Sequence, residues 1–130
     1  MLAAVVCLAV MLAGCGSVQL KSSKVKELAY TVADEEELPK AVSQKIAELK
    51  EEPFELSCEE GEYLYIARGY GRKETGGYSI RVEDLYLSEN AVCCKMQLAG
   101  PTQEEAQIKG ASFPYIVVKT EARREPVLFE

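Results

Sequence analysis

Three runs between Phe54 and Leu98 carry apolar side chains at every second position, the spacing of a strand with one covered face. Phe54, Leu56 and Cys58 alternate with Glu55 and Ser57. Tyr78, Ile80 and Val82 alternate with Ser79, Arg81 and Glu83. Val92, Cys94, Met96 and Leu98 alternate with Cys93, Lys95 and Gln97. Tyr63 to Ala67 is apolar throughout, as a strand covered on both faces would be. A helix cannot carry period two, because the apolar residues would wind round its whole circumference.

Further strands are expected over Leu28, Tyr30 and Val32, over Phe113 to Val118, and over Val127 to Phe129. Glu59-Glu60-Gly61 and Ser88-Glu89-Asn90 have turn chemistry. Gly100-Pro101 ends a strand, and Thr102 to Gly110 reads as a polar connection with one helical turn. The period changes once. Leu38, Val42, Ile46 and Leu49 form a single stripe at helical spacing, behind an acidic run at Asp34 to Glu37 and with Pro39 in the first turn. Pro53 stops it, because the residue before a proline avoids the α region. This places a helix at about residues 38–51. The expected fold is mainly β: six to seven strands in an antiparallel sandwich or curled sheet, one amphipathic helix packed on it, and α+β as the alternative.

The 130 residues suffice for one domain, expected over 25–130, and a net charge of −6 argues against nucleic acid as a partner. Histidine is absent, which removes the commonest general base and the commonest zinc ligand. No Cys-x-x-Cys spacing replaces it. Neither enzymatic activity, nor a metal, nor a cofactor is expected.

Leu2 to Ala13 is uncharged and apolar, too short to span a bilayer and suited to the core of a signal peptide. It lacks the basic residues that usually precede such a core. Leu12-Ala13-Gly14-Cys15 resembles the bacterial lipobox. That resemblance implies cleavage after residue 14 and diacylglycerol on the Cys15 thiol, where two or more chains give stable anchoring. Residues 15–24 would then be a lipidated cysteine and polar tether, and the domain would sit on the extracytoplasmic face of the cell membrane. Cys58, Cys93 and Cys94 fall in the folded part. A bridge between the adjacent pair would be strained, while a bridge from Cys58 to either partner and three free thiols are both open. Parity puts Cys94 in the core and Cys93 on the more polar face.

Gly69 to Ile80, GYGRKETGGYSI, holds four of the nine glycines. A phosphate cradle would need glycines leading into a helix, and here a strand pattern follows. An active site would need a nucleophile beside a base, and no histidine is at hand. A β-hairpin return with positive φ at Gly76 and Gly77 explains the glycines. It does not explain the flanking Tyr70 and Tyr78, or the cluster of Arg68, Arg72, Lys73 and Arg81 in an acidic chain. Tyrosine and arginine are frequent interface anchors.

YLYIARGYGRKETGGYSIRVEDLYL, then NAVCCKMQLAGP, then SFPYIVVK resemble the C-terminal domain of the PrcB family of protease-complex subunits. Gly69, Thr75, Gly76, Gly77, Tyr78, Pro101, Pro114 and Tyr115 carry the likeness, over about 63–120. The resemblance implies a non-catalytic domain, often lipid-anchored, in a family named for a subunit of a surface protease complex. Tyr70, Arg72, Lys73, Thr75, Gly76, Gly77 and Tyr78 are therefore expected to form a loop that contacts an extracytoplasmic protein, a protease or its precursor. The turn is also similar to the Thr-Thr-Gly-Tyr loop of chagasin-like cysteine-protease inhibitors, with Gly76 in place of the second threonine. A loop-presenting inhibitor and an envelope ligand sensor are the alternatives.

Overall fold

The computed structural model describes residues 24–107 and 109–130. The expected signal peptide at 1–14, the lipid site Cys15 and the tether up to residue 23 lie outside them.

Among the described residues, ten strands and one α-helix follow in order: β1 (Lys26–Glu27), β2 (Tyr30–Val32), α1 (Lys40–Leu49), β3 (Pro53–Glu60), β4 (Tyr63–Tyr70), β5 (Lys73–Thr75), β6 (Ser79–Leu87), β7 (Val92–Ala99), β8 (Lys109–Ser112), β9 (Tyr115–Glu121) and β10 (Val127–Phe129). One four-stranded sheet runs β1-β6-β7-β10 and the other β2-β9-β4-β3, while β5 and β8 form a separate pair. All pairings are antiparallel except β10 with β7, which is parallel.

The continuous apolar run in β4 is explained by its place between two cores. Leu64 and Ile66 point between the sheets, with Leu85, Val92, Cys94, Met96 and Val118. Tyr65 and Ala67 point the other way, beneath Val42 and Ile46 of α1. Phe54, Leu56 and Cys58 of β3 line the same helix-covered layer. Glu55, Ser57 and Glu59 are exposed on the opposite face of that strand. The sandwich with a helix on one open face is thus the fold expected from the alternation.

Several expectations need correcting. The strand expected over 28–32 is two short strands in different sheets. Leu28 is buried between the sheets and donates its N–H to Leu85 O at 3.1 Å, so the chain changes sheet there. Tyr30 and Val32 are then on an edge and exposed. Helix α1 is shorter than 38–51, because Glu35–Glu37 already form a separate 3-10 turn and Pro39 is the cap. The turn after β3 falls at Gly61, with φ 63°, one residue later than its acidic neighbours suggest.

Strand β6 breaks strict alternation. Val82 faces Met96 but Asp84 faces Lys95, leaving Glu83 as an extra residue in a bulge. The shift lets Ile80, Val82, Leu85 and Leu87 all reach the core and turns Tyr86 outward. There Tyr86 covers Cys93, which is fully buried with Ala91 instead of lying on a polar face. The Tyr86 hydroxyl donates to the Glu130 carboxylate at 2.9 Å, closing that layer.

Candidate functional site

The glycine-rich loop is a crossover between the two sheets, not a hairpin. It carries the chain from β4 to β6, and a second crossover returns it from β7 to β9. Both leave from the same end of the sandwich, since Ser79 pairs with Ala99 and Gly69 with Tyr115. The two connections pair with each other there. Lys73 faces Ser112 and Thr75 faces Lys109, with an irregularity between. The Ser112 hydroxyl donates to Thr75 O at 2.6 Å, and the Tyr70 N–H to Pro114 O at 3.0 Å. The result is a short two-stranded arm.

A capped turn supports the arm. The Thr102 N–H donates to the Glu105 carboxylate at 3.0 Å, and the Glu105 N–H donates back to the Thr102 hydroxyl at 3.1 Å. This reciprocal pair starts the 3-10 turn Glu105–Gln107. Gly77 packs directly on it. A Cβ there would lie 2.7 Å from Cβ of Glu105 and 2.8 Å from Cβ of Pro101, and φ is 87°. Gly77 alone of the glycine pair takes the left-handed conformation; the other in this loop is Gly71. Gly69 is required by its partner across the ladder, Phe54, whose ring occupies the space a Cβ would fill.

Of the residues expected to make contacts, only Arg72 and Gly77 are exposed, and Tyr70, Lys73, Thr75, Gly76 and Tyr78 are half-buried. Tyr70 is half-buried, with its ring beneath the Arg68 guanidinium at 5.3 Å. Its hydroxyl is buried without a hydrogen-bond partner among the described residues, and burial raises its pKa. Arg72 is exposed and paired with Glu74 on the arm. Lys73 stands 5.8 Å from the Tyr78 ring. Thr75 is half-buried and donates to Gly76 O. Arg72, Lys73 and Tyr78 therefore present side chains on the arm, while Thr75, Gly76 and Gly77 shape it.

The four basic residues do not act as one patch. Arg68 donates to Glu130 O at 3.2 Å, and Arg81 pairs with Glu83 at 2.9 Å. Nor do the cysteines meet. All three are free. Cys58 belongs to the layer under α1, Cys94 to the core between the sheets and Cys93 to the layer under Tyr86. Burial pushes the Cys94 thiol up to about 12. Burial, then the nearby Glu60 carboxylate, raises that of Cys58.

Two open clefts lie on the β2-β9-β4-β3 sheet, at opposite ends of β4. One, of about 390 Å³, is lined by Pro53, Phe54, Glu55, Arg68, Gly69 and Tyr70. The other, of about 480 Å³, lies among Tyr30, Tyr63, Lys119 and their neighbours. What the arm offers is contact: an aromatic ring, two cations and a backbone held in shape. The helical turn expected between Thr102 and Gly110 is the 3-10 turn Glu105–Gln107, whereas its cap, β8 and the Ser112 contact were not legible as such. The spacing Thr102-x-x-Glu105 was the available signal for the cap.

Residues 64–121 match the family model PrcB C-terminal. This stretch is a PrcB C-terminal domain. The match starts in β4 and stops at the last residue of β9. The PrcB domain therefore comprises the central strands of both sheets, both crossovers and the whole arm. Strands β1 to β3, helix α1 and β10 lie outside it, and they supply the sheet edges and the helical cover. Searches of curated proteins and of solved structures return no match.

Proposed function

We propose that this chain is a non-enzymatic, lipid-anchored protein on the extracytoplasmic face of the cell membrane. Its PrcB domain binds another extracytoplasmic protein through the arm, and a protease or its precursor is the partner class. One observation carries the reading. The family match begins and ends on the strands from which the arm springs, so the arm belongs to what the family shares. Its shape supports a binding role as well. A loop already fixed by Gly77, the Ser112 hydrogen bond and the capped turn gives up little freedom when a partner docks. Lipid on Cys15 and the extracytoplasmic location rest on the lipobox.

The full chain should be purified from membranes and its companions identified by mass spectrometry. Expected are an N-terminal peptide starting at a diacylglyceryl-modified Cys15 and a co-purifying extracytoplasmic protease. Unmodified chain in the cytosol, starting at Met1 and free of any such companion, would sink the proposal. Adding the chain to the recovered protease in equal amounts separates two modes: an assembly partner leaves turnover unchanged, and a loop-presenting inhibitor slows it.

A further inference from the structure

We propose that β3 is a docking edge, on which an extended segment of a partner protein with alternating apolar and basic residues adds as a fifth strand. The proposal deepens the interaction reading above, resting on it only for the partner being a protein.

The two large sheets have four edges. Strand β1 has two residues, and β2 and β10 have three each, so three edges are too short to template a neighbour. Strand β3 has eight residues and is the last strand of its sheet among the described residues. Its outer N–H and C=O groups form the longest open row among the described residues: β1 covers only the end of β6 at Tyr86 and Leu87, but the bulge at Glu83 interrupts the uncovered part of that strand. Such a row binds extended peptides through main-chain hydrogen bonds, with alternate side chains setting specificity.

The side chains of β3 state what that specificity would be. Pro53 to Glu60 holds Glu55, Glu59 and Glu60 with no lysine or arginine, and Glu51, Glu52 and Glu62 flank it. A second copy of the same strand would set like charges side by side, which disfavours pairing of the chain with itself. A basic strand reverses the sign. On the other face, Phe54, Leu56 and Cys58 are only half-buried under α1, so apolar side chains from an added strand would extend that layer. Apolar residues toward the helix, and cations toward Glu59 and toward Glu55, which Arg68 of β4 meets only at 4.0 Å, give the alternating pattern. The chain's own N-terminal part leaves from the far side: β1 and β2 occupy the opposite edges, and Lys24 is tied to Asp84 of β6 at 3.1 Å.

Two further observations point to the same edge. The cleft of about 390 Å³ opens at its start, and the buried Tyr70 hydroxyl has no hydrogen-bond partner among the described residues there. A shift of the Tyr70 ring toward this cleft would let one side chain of an added strand supply that bond. The arm also starts there, since a Cβ on Gly71 would lie 3.0 Å from Cδ of Pro53. A partner strand on β3 thus runs straight into the contact surface of the arm.

A dye-labelled, end-capped Val-Lys-Val-Lys-Val-Lys-Val peptide tests this against the full chain in mild detergent, by fluorescence anisotropy. Saturable binding is expected, at least tenfold weaker when glutamate replaces lysine. Glu55→Gln with Glu59→Gln should weaken it about tenfold. Tyr70→Phe should weaken it severalfold without lowering the urea midpoint. N-methylation decides the mode, because alternate N–H groups of a strand point to opposite edges. Methylating one alternate set should abolish binding, and methylating the other should change it less than threefold. Hydrogen exchange should show outer β3 amides fast alone and slowed by peptide. No binding, equal effects of the two methylation patterns, or β3 amides protected beforehand by residues 1–23 or a second copy would each overturn the proposal. No native partner enters this assay, so its failure leaves the arm reading standing, and failure of arm variants to lose a native partner leaves this one standing.

Discussion

Gly77 shows how much of this molecule is decided by single atoms. Its φ of 87° is one that side-chain-bearing residues rarely adopt, and Pro101 and Glu105 already occupy the space a Cβ would need. Gly77→Ala should therefore cost about 1–3 kcal/mol in urea unfolding. Gly100→Ala, where nothing lies within 4 Å, should stay within about 0.5 kcal/mol. Cys94 gives a prediction about pH. Its thiol has an ordinary value of 9.0 and is pushed up to about 12 by burial. Below pH 9 it is protonated in both folded and unfolded chains. Above that, the unfolded chain sheds the proton first, so stability falls progressively as pH rises from 9 toward 12. Urea midpoints at pH 8 and pH 10.5 should show the drop, and Cys94→Ala should make it smaller, the half-buried Cys58 and Tyr70 contributing in the same direction. Parity identified Cys94 as a core residue from sequence. The burial of Cys93 was hidden, because it depends on Tyr86, and Tyr86 reaches that face only through the bulge at Glu83.

Helix α1 was legible because its signal is local. A stripe at helical spacing, an acidic run before it and prolines at both ends sit within twenty residues of sequence. Of that stripe, Val42 and Ile46 are buried and Leu49 is exposed. Ile46→Ala should thus cost about 2–5 kcal/mol, and Leu49→Ala less than about 1 kcal/mol, as read from denaturant midpoints. The strands were legible wherever one face is covered along their length, as in β3 and β7. They were not where the chain changes sheet. At Leu28 the alternation continues unbroken although the hydrogen-bonding partner switches from β6 to β9. The arm was missed for a related reason. Strands β5 and β8 are three and four residues long, mostly polar, and pair across more than thirty residues of chain, so no local period announces them.

At the scale of the whole molecule, the PrcB domain is an inner framework completed by sequence on either side of it. Residues 64–121 supply the middle of both sheets and the arm, and the rest adds edges and a helix. Its tyrosines and cations mark the glycine loop as a place of contact in the sequence, but the glycine pair alone reads as a hairpin return and does not reveal the crossover. The structure buries the Tyr70 hydroxyl, exposes Arg72 and leaves Tyr78 half-buried beside Lys73, so Arg72 and Tyr78 are the anchors proposed for a partner. The decisive measurement is the amount of partner that co-purifies from membranes with Arg72→Ala/Tyr78→Ala relative to the unaltered chain, at equal expression and equal urea midpoint. Losing a true anchor costs about 2 kcal/mol or more, so a drop in affinity of about thirtyfold is expected. Recovery of the same partner in undiminished amount would contradict a binding role for the arm.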